Sequence, residues 1–125
     1  MTEDVRNLLN KGRRSLGAAG RLLRDGDCDF AASRAYYAML YHAEALLRSE
    51  AFEADSHAGV IALLHREFVR TGRLDRAQAV AIERAWKERA VADYAAGTEF
   101  SEARAQQAVE RAEAFLRAVE AALGA

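Results

Sequence analysis

Three histidines, one cysteine and a concentration of arginines and tyrosines are the groups in this 125-residue chain that could do chemistry. Helical metal sites place His or carboxylate ligands three or four residues apart, so that they share one face. His42, His57 and His65 lack that spacing among themselves, so neither a metal centre nor another cofactor is expected. Cys28 stands between Asp27 and Asp29, whose charges disfavour a thiolate nucleophile. Ser56 before His57 reads as a helix cap, and the helix N-terminus disfavours the His57 cation. No Gly-x-Ser-x-Gly turn and no phosphate-binding glycine loop occurs. His42 falls at the edge of an apolar helical face. It is either a packed histidine satisfied by a neighbour or a catalytic candidate at the rim of the core.

Two groupings remain. The first is the stretch from Ser33 to Leu47, which reads as the central helix. On a wheel, Ala32, Ala35, Tyr36, Met39, Ala43, Leu46 and Leu47 share one apolar side. Ser33, Arg34, Tyr37, Tyr41, Glu44 and Arg48 fall within about a 100° arc on the other side. Tyr and Arg are favoured at protein interfaces and can also contact RNA bases. The plainer reading makes Tyr37 and Tyr41 half-buried rings with their hydroxyls in water. The second grouping is Trp86-Lys-Glu-Arg89-Ala-Val-Ala-Asp93-Tyr94. Arg89 and Asp93 are four apart and can pair on one helix. They form either a structural ion pair near the helix end or the wall of a polar cleft, where the Arg89 guanidinium could hold a phosphate.

The elements that must position these groups follow from caps and periodicity. Helix 1 runs from about Glu3 to Arg24, capped by Thr2 or Asp4, with Val5, Leu8, Leu9, Leu16, Ala19 and Leu23 at helical spacing. Gly12, Gly17 and Gly20 inside it mark close helix contacts or a bend. Gly26 stops it, and Asp27 or Asp29 caps helix 2, expected from about Phe30 to Ser49. Glu50 to Asp55 is a loop, and helix 3 runs from about His57 to Arg70. Thr71-Gly72-Arg73 breaks it, Asp75 caps helix 4, and Ala95-Ala-Gly97-Thr98 ends that helix. Ser101 caps helix 5, where Val109, Ala112, Leu116, Val119 and Leu123 form a regular seam. The loops are short, so neighbours should be antiparallel. The expected fold is all-α: an antiparallel four- to five-helix up-and-down bundle, one domain over residues 1–125.

Composition agrees. The chain has no proline, and hydrophobic residues make up 51%, enough for a single core. A net charge of −1 excludes a globally basic nucleic-acid binder but leaves room for a local basic patch. One cysteine forms no internal disulfide, there is no 18-residue apolar run, and the first residues lack a signal-peptide core. A cytoplasmic protein without a membrane partner is expected.

Three segments are similar to HEPN domains, above all to the small stand-alone prokaryotic HEPN proteins: residues 32–43, Ser56-His-Ala-Gly-Val-Ile-Ala-Leu63 and Arg89-Ala-Val-Ala-Asp-Tyr94. The resemblance spans roughly residues 5 to 120. It implies a helical bundle that forms a homodimer, and a small nucleotidyltransferase partner in a toxin–antitoxin pair. It also implies that active relatives are metal-independent RNases, whose motif is Arg, four to six residues, then His. In this chain no histidine has an arginine at that distance upstream. The nearest case, Arg34 and His42, has seven residues between. The leading expectation is therefore a non-catalytic interaction module. An RNase with a variant site would use Arg34, His42, Arg89 and Asp93. An RNA- or nucleotide-binding surface, or a partner-binding one, would use Ser33, Arg34, Tyr37, Tyr41, Arg89 and Tyr94.

Overall fold

The computed structural model describes residues 1–94 and 100–124. Among them the chain is all-helical: α1 spans Glu3–Arg24, α2 Cys28–Ser49, α3 His57–Leu63, α4 Arg76–Tyr94 and α5 Glu102–Leu123. The local reasons are those read from the sequence. The Thr2 hydroxyl accepts the Val5 amide, Ser56 accepts Gly59 at 3.0 Å, and Ser101 accepts Arg104 at 3.1 Å. Asp75 accepts the Ala77 amide at 2.9 Å at the start of α4. Gly26 turns the chain out of α1 at φ +86, and Gly124 closes α5 in the left-handed conformation.

Two boundaries differ from expectation. α2 begins at Cys28 rather than Phe30, because the Ala31 amide already bonds the Asp27 carbonyl. The expected third helix does not run evenly to Arg70: after Leu63 it widens into a π-helical stretch, Leu64–Val69, where the Arg70 amide reaches back to the His65 carbonyl. The wider turn keeps Leu64 and Phe68 fully buried, and the Phe68 carbonyl then receives both the Arg73 and Leu74 amides as the chain bends toward α4. The stretch 95–98, expected to end helix 4, lies outside the described residues.

α2 is the hub. It packs against α1, α3, α4 and α5. Its apolar stripe is buried throughout, from Ala32 through Tyr36 and Met39 to Leu47. α1 runs antiparallel to it, with Asp4 beside Arg48, Gly12 against His42 and Ser15 bonded to the Arg34 carbonyl. On α5 the seam residues Val109, Ala112, Leu116 and Val119 are buried, joined by Phe115. No described helix is long and apolar enough to cross a membrane.

Candidate functional site

Arg89 is the charged side chain that the fold draws furthest inward. α4 points it at α2, where it is 9% exposed. Its guanidinium carbon lies 5.6 Å from the centre of the buried Tyr36 ring and 5.8 Å from that of Tyr94. Asp93, one turn on, pairs with it at 3.6 Å. Among the described residues the buried Arg89 Nε and Tyr36 hydroxyl find no hydrogen-bond partner, and neither does the His42 Nδ1. Unpaired buried polar atoms are uncommon and mark places where a structure waits for a partner or stores strain.

α3 brings His57 to the same place. Its ring lies 5.6 Å from Tyr36, 6.3 Å from Tyr37 and 6.2 Å from Trp86, centre to centre. Burial pushes its pKa below the ordinary value, and the Arg89 charge pushes it further down, so His57 is neutral. Burial also holds the Tyr36 phenol well above its ordinary pKa despite the nearby Arg89 charge. The arrangement is an imidazole and a guanidinium that both lie against the Tyr36 ring. It can take up an anionic group and offer one base.

Sequence spacing did not reveal this grouping. His57 sits next to a cap residue, and Arg89 is 32 positions further on. Only the α3–α4 reversal brings them together. Tyr94 stands at the outer edge, 77% exposed.

His42 is elsewhere and sealed. It is 0% exposed, and its Nε2–H donates to Glu120 on α5 at 2.9 Å. Arg13 of α1 holds the other Glu120 oxygen at 2.6 Å. A Cβ at Gly12 would stand 2.1 Å from the His42 Nδ1, so α1 needs glycine there to admit the ring. Burial lowers the His42 pKa while Glu120 opposes that shift. The Glu120 carboxyl, raised by burial alone, is held below its ordinary value by hydrogen bonds from Arg13 and His42. His42 therefore ties three helices together and faces no cleft. Arg34 and His42 do not meet.

The polar side of α2 divides. Ser33 is buried at 7% exposure. Arg34 stacks on Tyr37 at 4.7 Å, Tyr37 lies 6.2 Å from Tyr41, and Lys11 of α1 sits 4.7 Å over Tyr41. Tyr37 also meets Tyr36 edge-on at 5.2 Å, so this row runs into the His57 and Arg89 cluster. Among the described residues no three His, Cys, Asp or Glu side chains gather to hold a metal ion.

Comparison with known proteins places this architecture. The chain is 34% identical over 110 residues to a UPF0332 protein of Thermotoga maritima, covering 88% of this chain and 83% of that one. It is 33% identical over 113 residues to a protein of Methanocaldococcus jannaschii named "Putative toxin", covering 90% and 77%. The crystal structure of TT1696 from Thermus thermophilus shares the fold, with a TM-score of 0.82 at 22% identity over 97% of this chain and 99% of that one. The HEPN domain family model matches residues 5–122, and the chain belongs to the HEPN domain family.

Proposed function

We propose that the chain is a non-catalytic HEPN interaction module, a homodimer that holds a partner protein such as a nucleotidyltransferase in a toxin–antitoxin-like pair. The observation that carries this reading is the sealing of His42. The histidine nearest to a suitable upstream arginine is fully buried and committed to Glu120, so it offers no base to a substrate. No histidine follows Arg89, so Arg89 does not open an RNase motif of that spacing. Val80, Val91 and Tyr94 are exposed along one side of α4 and supply apolar surface for a partner. The relatives named as toxins support the toxin–antitoxin setting. The lone Cys28 fits a reducing cytoplasm.

The test pairs sedimentation of the purified protein at micromolar concentration with an RNase assay on total cellular RNA. A dimer that leaves RNA intact is expected. A monomer, or cleavage, overturns the reading.

One observation favours a second reading, a metal-independent RNase with a variant centre. His57 lies with Arg89 against Tyr36 and is kept neutral, the state a general base needs. Cleavage that disappears in folded His57→Ala and Arg89→Ala variants would establish that centre in place of His42.

A further inference from the structure

The face between α1 and α2 carries a groove of about 500 Å³ that the reading above does not use. Its walls present Lys11, Arg13, Arg14 and Arg21 from α1, and Arg34 with Tyr41 from α2; among the described residues no carboxylate lines it. On a chain of net charge −1 this is a strong segregation of charge. Arg13 is tied to Glu120. Among the described residues no ion pair engages Lys11, Arg14, Arg21 or Arg34, while the neighbouring Arg48 is paired with Asp4.

The cations are also placed. Lys11 and Arg34 are held over the Tyr41 and Tyr37 rings, which fixes their charged ends before any ligand arrives. Lys11, Arg14 and Arg21 share one stripe of α1, and the stripe spans about 15 Å along the axis. A run of cations this long, unbroken by a carboxylate, suits a ligand charged at every unit. A protein partner would ask for an apolar centre ringed by polar groups, and Tyr41 is the one aromatic wall in this groove.

We propose that this groove binds a linear phosphate polyanion, tracking it along α1, whether a single strand of nucleic acid or an inorganic polyphosphate chain. A guanidinium fork takes two phosphate oxygens at once, which places Arg14, Arg21 and Arg34 as the principal contacts. The groove is distinct from the Arg89 cluster, so it stands whether or not that cluster turns over a substrate.

The experiment is fluorescence polarisation with a labelled oligouridylate of about 12 nucleotides, and separately with labelled inorganic polyphosphate, across a salt series. Contacts from the four unpaired cations give a log–log salt slope of about −3 and about a 50-fold loss of affinity between 50 and 200 mM salt. The Arg14→Gln/Arg21→Gln double variant, changed at two exposed positions, keeps its helical circular dichroism. It loses about half of that slope and at least about tenfold in affinity at low salt. Lys87→Gln on α4, a cation paired with Glu83, changes neither. Binding of RNA alone, of polyphosphate alone, or of both supports the proposal and identifies the source. Three results overturn it: no saturable binding of either probe at low salt, binding that the double variant leaves intact, or equal competition by a polyglutamate of matched charge.

Discussion

Burial lowers the pKa values of both His42, which is sealed, and His57, which is part-exposed. Their second influences differ in sign. His42 has a carboxylate at 2.9 Å that favours its cation, and His57 has a guanidinium that opposes it. His42 is locked between helices with a glycine cut to its shape, whereas His57 lies part-exposed beside the Tyr36 and Trp86 rings. The contrast separates a histidine that holds the bundle together from one with chemistry left to offer.

The largest expected effect breaks the first seat. Gly12→Ala gains about 1 kcal/mol of helix propensity. It also drives a methyl to 2.1 Å from the His42 Nδ1. Overpacking usually costs about 1–3 kcal/mol and more for a contact this close, so a net destabilisation of about 3 kcal/mol is expected in thermal or urea unfolding. His42→Ala in the same chain should relieve part of that cost, and the double-mutant cycle should show favourable coupling. An ordinary Gly→Ala stabilisation would mean that the ring is not wedged there.

Next in size is the comparison of truncations. His42→Ala empties a fully buried site and strips a hydrogen bond from Glu120, costing about 2–3 kcal/mol. His57→Ala removes a part-exposed ring and should cost about 1 kcal/mol or less. Equal costs would erase the distinction between the two sites.

How much of this was legible beforehand depends on how far apart the interacting residues stand. Caps and stops are local, so Thr2, Ser56, Asp75, Ser101 and Gly26 announced the helix ends, and the spacing of Tyr36, Met39 and Leu46 announced the buried side of α2. The π-helical widening at Leu64–Val69 was not legible. It depends on where Phe68 must sit in the core rather than on the local spacing, which reads as an ordinary helix. The wheel put His42 at the edge of the core without showing that Gly12, 30 positions earlier, makes its seat or that Glu120 supplies its partner. Ser33 shows the opposite failure. The wheel sets it on the polar arc, yet the fold buries it. The basic stripe Lys11, Arg14, Arg21 was not read from the sequence, where only room for a local basic patch was left; it stands out once Arg34 and Tyr41 close the other wall.

Acid sharpens the contrast between the histidines. Both have folded pKa values below the ordinary 6.5, so on acidification the unfolded chain takes up protons before the native one. Stability is full above about pH 6.5 and falls as pH drops through the lowered native values; Glu120, also lowered, adds a second loss below its ordinary 4.5. His42→Gln should flatten the first loss more than His57→Gln does, measured as unfolding midpoint against pH from 7.5 to 5. The reverse order would mean that Glu120 supports the His42 cation well enough to cancel its burial.

The smallest expected effect reads the His57 environment directly. Two causes lower its pKa, burial first and the Arg89 charge second, and only the second can be removed without touching the ring. Arg89→Gln keeps a side chain of similar reach over Tyr36 while deleting the charge. The His57 resonances, followed by NMR from pH 8 to 5, should then titrate at a higher pH than in the parent chain. The shift should be partial, because Tyr36, Tyr37 and Trp86 still pack around the imidazole. His42 in the same spectra is an internal reference, since its charged neighbours are Glu120 and Arg13. Movement of both histidines together would point to a general loosening of the bundle. Movement of His57 alone would show that Arg89 and His57 share one electrostatic site across α3 and α4, as a catalytic or anion-binding pair must.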